Sequence, residues 1–227
     1  MTWENISWFW LGSVIATVLS VLFYILLKNW KITVANWVKN RLIILALGFL
    51  IVGSFYSEHL LIVLIFGILA GSLMQAFTDI TLTKHVLIYH GKSWKILKTP
   101  WWMSILWCLA LAQLMYFCHH ILTISGIYKF IVFMVIATAY FVAFELLVGN
   151  FAGWWTRKDC ERTLNVAHYA VVAEILTVFT VWLFSARIMS SKSMLSLIGS
   201  SSLVGIIIAS AFLVCFAFAH KPTEQTI

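Results

Sequence analysis

The chain carries apolar runs of about twenty residues, one after another, almost from end to end. A helix needs about 20 apolar residues to cross a hydrocarbon core about 30 Å thick. The candidate spans run approximately Trp8–Leu27, Leu42–Tyr56, Leu60–Phe77, Trp102–Leu122, Phe130–Val148, Leu164–Ala186 and Leu195–Ala219, which makes seven. Within each run the apolar residues are continuous, whereas membrane strands alternate apolar and polar positions, so a barrel is excluded. Composition agrees. Charged residues are 10% of the 227 positions, against about 25% in soluble domains. The expected fold is an all-α polytopic bundle forming a single integral membrane domain over residues 1–227. The membrane would be a bacterial inner membrane or the endoplasmic reticulum.

Orientation follows from Lys and Arg in the connecting segments. If segments alternate sides, one side carries Lys28, Lys31, Lys39, Arg41, Lys84, Lys92, Lys95, Lys98, Arg157, Lys158, Arg162 and Lys221. The other carries Lys129, Arg187 and Lys192, a division of 12 against 3. The expected N-terminus is outside and the C-terminus cytoplasmic. Before the first span stands Glu4 with no Lys or Arg, and no small-residue cleavage pattern follows, so that span reads as a retained anchor. The formal charge of +7 reads as attraction to an anionic leaflet. No RNA- or DNA-binding motif accompanies it, so membrane lipids and no nucleic acid are the expected partners.

The segments Lys28–Arg41 and Asp79–Trp101 mix apolar residues with lysines. The first reads as a short interfacial amphipathic helix, the second as an interfacial or re-entrant piece that could roof a cavity. Gly67 and Gly71 form a small-xxx-small pair, and Ser201, Gly205 and Ala209 continue such a face on the last span. Such faces let helix backbones approach, within one chain or between copies in a homo-oligomer. A weak internal duplication is visible. An offset of 61 carries Trp94 onto Trp155 and Gln113 onto Glu174, while Asp79 and Glu145, each at the end of a span, need a further five-residue gap.

Three carboxylic acids draw attention. Glu174 lies ten residues into the sixth expected span, about 15 Å deep at 1.5 Å per residue. An ionisable group at such depth is costly and is functional or paired; Gln113 or Thr177 would be the structural partner. Glu145 lies one turn from a span end. Asp79 ends the third span, with Gln75 four residues earlier on the same face. His168 is six residues before Glu174 and so on a different face. His59 and Glu58, with His119 and His120, could cluster at the outer side, while His85 and His90 fall in a cytoplasmic loop. The tryptophans near span ends suit an aromatic belt, but Trp94, Trp154 and Trp155, with Gln113, could also line a substrate pocket.

Several chemistries are excluded. There is no HExxH, no P-loop, no Asp-rich diphosphate motif and no set of histidine boxes. No metal site and no cofactor is expected. The last span has no Lys for a retinal Schiff base, and no span interior contains Pro. Cys108, Cys118 and Cys215 read as small hydrophobes.

The unit Phe-Glu-Leu-Leu-Val-Gly-Asn-Phe-Ala-Gly-Trp-Trp at 144–155 sets an acid at a span end and Gly-Trp beyond it. A looser version is Asp79 followed by Gly91-Lys-Ser-Trp94 and Pro100-Trp-Trp. Both resemble the repeat of small integral-membrane carotenoid and terpenoid cyclases. That resemblance implies a compact bundle that cyclises polyprenyl chains, protonating an alkene or epoxide with a buried acid and no metal. It carries over Asp79 and Glu145 as matching acids; Glu174 enters on burial alone. The carotenoid cyclases place paired glutamates after a proline in the following span, whereas here Trp101 and Trp102 follow Pro100. The expected function is thus a metal-free membrane cyclase or isomerase acting on an apolar isoprenoid or lipid. A proton-coupled carrier or channel and a non-catalytic assembly subunit are the alternatives.

Overall fold

The computed structural model describes residues 3–31, 34–81, 87–89, 93–96, 98–121, 124–157, 160–163 and 166–219. Among them are seven helices long and apolar enough to cross a membrane. They are α1 (Trp3–Asn29), α2 (Ala35–Ser54), α3 (Glu58–Thr81), α4 (Trp101–Tyr116), α5 (Gly126–Glu145), α6 (His168–Met189) and α7 (Met194–Ala219). π-helical turns extend α4 (Phe117–Ile121) and α5 (Leu146–Ala152). Short strands occur only between helices: β1 (Leu87–Tyr89), β2 (Lys95–Ile96), β3 (Thr99–Pro100), β4 (Trp155–Arg157), β5 (Arg162–Thr163) and β6 (Val166–Ala167). All six lie at the end of the bundle where α3 and α5 finish and α4 and α6 begin, hereafter the hairpin end. His85, His90 and Gly91 fall outside the described residues.

Two boundaries differ from the sequence expectation, each with a consequence. The second helix begins at Ala35, not Leu42, so no separate amphipathic helix fills Lys28–Arg41. Lys39 falls on the buried stripe of Ala35, Ile43, Ala46, Leu50 and Gly53. The sixth helix begins at His168, not Leu164. Glu174 therefore stands six residues in, about 9 Å from the helix start, on the hairpin-end side of the helix middle. The segment before Trp101 is not helical where it is described: β1 pairs with β4 and β2 pairs with β3.

Two stretches of the chain share an element order, helix, strand, hairpin and helix, in a register different from the one expected. A first unit is α3, β1, the β2–β3 hairpin and α4. A second is α5, β4, the β5–β6 hairpin and α6. Hairpin residues correspond at an offset of 67: the amide of Trp101 donates to Trp94 O, and that of His168 donates to Glu161 O, both at 3.1 Å. Along the first helices the offset is 66. Gly67, Gly71, Gln75 and Asp79 correspond to Phe133, Ala137, Phe141 and Glu145, the four buried residues of α5. The equivalent strands β1 and β4 pair antiparallel with each other, as two copies related by a two-fold rotation do. Trp94 thus corresponds to Glu161 rather than Trp155, and Gln113 to Thr180 rather than Glu174. An offset of 66 pairs Asp79 with Glu145, both buried near the hairpin end of a first helix.

The helix α4 is the most enclosed, with 61% of its span buried against 28% for α1, α2, α5 and α7. It sits there because α3 lets it approach. A Cβ on Gly71 would lie 2.8 Å from Cys108 N, and one on Gly67 would lie 2.7 Å from Ala112 Cβ. On the other side of α3, a Cβ on Gly205 would meet Ala70 O at 2.8 Å, with Ser201 and Ala209 buried beside it. Both small-residue faces are therefore consumed by packing within the chain. A homo-oligomer or an assembly partner would have to use other surfaces.

Candidate functional site

At the hairpin end three carboxylic acids are almost wholly enclosed: Asp79 at 2% exposure, Glu145 at 4% and Glu174 at 1%. Burying carboxyl groups is costly unless something compensates, so their surroundings are informative.

Asp79 is built into the first unit. Its Oδ1 accepts from Thr99 Oγ1 at 2.6 Å and its Oδ2 from the backbone N–H of Lys98 at 2.8 Å. Gln75 Nε2 donates to the same Thr99 hydroxyl at 3.0 Å. The carboxyl thereby ties the last turn of α3 to the β2–β3 hairpin, which sets the start of α4. Pro100, with φ −58° and ψ 136°, ends the hairpin, and α4 begins immediately after it. Trp102, one residue later, donates from Nε1 to Ser93 Oγ at 3.3 Å.

Glu145 occupies the same place in the second unit, but its surroundings have changed. The equivalents of Gln75 and Thr99 are Phe141 and Val166, which cannot hydrogen-bond through their side chains. Phe141 stacks on Trp107 with centroids 5.9 Å apart. The backbone differs too, because a π-helical turn starts directly after Glu145. Such turns occur disproportionately at functional sites. That turn ends at Gly153, whose φ of +62° is left-handed and costs glycine little. Lys28 Nζ donates to Ala152 O at 2.7 Å and caps it.

Glu174 lies on the buried side of α6 among Ala170, Ala173, Thr177 and Val178. Neither of its proposed structural partners is engaged with it as expected. Gln113 gives both amide hydrogens to α1, at 2.9 Å to Ser13 Oγ and 3.0 Å to Thr17 Oγ1. Thr177 donates back to Ala173 O. In the register of the two units Glu174 corresponds to Trp107.

Of the aromatic candidates, Trp154 is enclosed and Trp94 is 73% exposed. Trp94 therefore stands at the surface rather than in a pocket wall. Trp155 lies in β4, paired with Tyr89. Trp154 belongs to a constellation the sequence reading missed. Lys39, 2% exposed, holds its ammonium 3.8 Å from the Trp102 ring centroid, 4.8 Å from Trp154 and 5.4 Å from Tyr24. Cation–π attraction of this kind strengthens when the partners are desolvated. The cage joins α1, α2, the start of α4 and the turn beyond Glu145. The signal that could have found it is the stripe on α2, where Lys39 takes a core position.

At the opposite end the expected histidine cluster forms. His59 and His120 have ring centroids 4.8 Å apart, and His119 and His120 4.7 Å apart. Glu58 is exposed. Among the described residues no group of three or more His, Cys, Asp or Glu has the arrangement to hold a metal, and the cysteines form no disulfide.

Residues 76–219 match the family described as Domain of unknown function (DUF6989), so the chain belongs to that family. No curated protein and no solved structure matches the chain.

Proposed function

We propose that this member of the DUF6989 family is an integral membrane enzyme acting on an apolar isoprenoid or other lipid, with Glu145 and Glu174 as its acids. The observation that carries the reading is the set of three enclosed carboxyl groups toward one end of an aromatic-rich bundle. Equivalent acids placed in different environments take different roles. Asp79, hydrogen-bonded on both oxygens, positions the hairpin and α4. Glu145, enclosed near the end of α5, is the acid assigned to the substrate. The hairpin end would face the cytoplasm, in keeping with the Lys and Arg asymmetry.

The chemistry needs no co-reactant. A carboxylic acid transfers its proton to one carbon of an alkene, and the cationic charge appears on the other. A second alkene closes on that carbon, and loss of a proton to a carboxylate restores neutrality. The product has the mass of the substrate. Aromatic faces such as Trp107 and Phe141 would stabilise the cation. Support from resemblance to the carotenoid and terpenoid cyclases rests on Asp79 and Glu145 alone.

The test is lipid profiling of membranes from cells expressing the wild type, Glu145→Gln, Glu174→Gln or an empty vector, in a host with varied isoprenoids. A new compound of unchanged mass and altered retention, absent from both variants, is expected. A product that survives both substitutions would sink the assignment.

One observation favours a second reading. Two parallel helix–hairpin–helix units about a two-fold axis are an arrangement that carriers also use. Proton-coupled flux in proteoliposomes, lost in Glu174→Gln, would establish a carrier instead.

A further inference from the structure

The helices α1 and α5 do not close on each other along their length, and the seam between them carries two clefts. The first, about 180 Å³, lies between α1, α4 and α5 and is lined by Trp10, Val14, Gln113, Phe117, Ala137 and Tyr140. The second, about 530 Å³, continues toward the hairpin end between Leu22, Phe23 and Leu26 of α1 and Leu147 and Phe151 of the π-helical turn. Asn29 stands at its foot. From Val14 to Asn29 the seam runs about 22 Å at 1.5 Å per residue. Half a hydrocarbon core is about 15 Å, so the seam is deep enough for a whole lipid chain. The first cleft is backed by α4, and the second is open at the surface, where Leu22 is 45% and Phe151 59% exposed.

The chain that reaches its foot is basic. Between residues 5 and 57 the chain has Lys28, Lys31, Lys39 and Arg41 and neither Asp nor Glu. Lys28 is fixed beside the cleft by its bond to Ala152 O, and an ammonium has two further hydrogens to give. An apolar trough ending at an anchored cation suits an amphiphile with a long chain and an anionic head. Basic residues at the membrane surface attract anionic lipids.

We propose that the seam between α1 and α5 binds one anionic phospholipid from the leaflet at the hairpin end, with its phosphate at Lys28 and Asn29 and one acyl chain along the two clefts. The site is separate from the enclosed acids. Glu145 lies about 140° around α5 from Tyr140 at 100° per residue, so the proposal stands whether or not the enzyme reading does.

The test is native mass spectrometry of the full-length protein in mild detergent, titrated with dioleoyl phosphatidylglycerol or dioleoyl phosphatidylcholine. One phosphatidylglycerol should be retained at least tenfold better than phosphatidylcholine. Lys28→Gln should abolish the preference. Leu26→Trp, which fills the trough and leaves the Lys28 anchor alone, should remove the bound lipid while the protein stays monodisperse. Equal retention of the two lipids, or an adduct that persists in Leu26→Trp, overturns the proposal. Displacement by equimolar farnesyl diphosphate also overturns it, because it would assign the seam to a prenyl phosphate.

Discussion

The two units of the repeat share a topology and differ at nearly every buried position of their first helix. In the first, Gly67 and Gly71 bring α3 against Cys108 and Ala112 of α4, and Gln75, Asp79 and Thr99 form a hydrogen-bonded cluster at its foot. In the second, the same positions are Phe133, Ala137, Phe141, Glu145 and Val166. Phe133 and Phe130 pack on Trp182 with centroids 5.6 and 5.3 Å apart, so large rings keep the α5 and α6 backbones apart. A cleft lies beside Ala137. One copy has become a tight polar-clamped scaffold. The other has an enclosed acid too, and aromatic packing between α5 and α6. A duplicated bundle can thus divide stability and chemistry between its halves, since the scaffold copy holds α4 for both.

The largest expected effect separates the two equivalent acids. Glu145→Gln should lower turnover of the lipid product by about 10²–10⁴-fold, the usual contribution of a positioned acid, while thermal unfolding in detergent changes little. An equal loss from Asp79→Asn with stability intact would break the comparison. Next comes packing. Gly71→Leu should destabilise the protein by about 3 kcal/mol, the upper end for overpacking. Ala137→Leu at the equivalent position, with the cleft beside it, should cost about 1 kcal/mol. Chemical denaturation of both variants measures the difference, and equal costs would mean that the second unit is as tight as the first. Asp79→Asn should cost about 2 kcal/mol, as for hydrogen bonds to a charged group. Its amide nitrogen would face a donor, and the loss would appear as a lower unfolding temperature. The smallest effect is Thr99→Val, which gives the first unit the second unit's apolar hairpin residue. A loss of about 1 kcal/mol is expected, the low end for the two buried hydrogen bonds removed, Thr99 to Asp79 and Gln75 to Thr99, and a null result would show that the clamp rests on the Lys98 amide alone.

Much of the architecture was legible because a bilayer imposes one strong rule. Every backbone group must be satisfied within its own helix, so long apolar runs can only be spans. Seven such runs gave seven helices. Boundaries were less legible, because a helix may start in charged sequence when its partner can accept the charge. Lys39 looked like a loop residue until the rings of Trp102, Trp154 and Tyr24, distant in sequence, were brought around it. The repeat was misread for a related reason. Conspicuous tryptophans suggested an offset of 61, while the true offsets of 66 and 67 are marked by backbone bonds and by burial, which leave little trace in residue type.

For the candidate site the division is similar. That Asp79, Glu145 and Glu174 are rare acids in an apolar chain, and so demand compensation, follows from the sequence and the cost of burying charge. How Asp79 is clamped was decided by the hairpin, whose β2–β3 turn delivers Thr99 to it across 20 residues. Hydropathy is local and additive along the chain, and it determined the spans. Partnership depends on which spans meet and in what register, so only the tertiary structure could decide that one copy of the repeat became the scaffold.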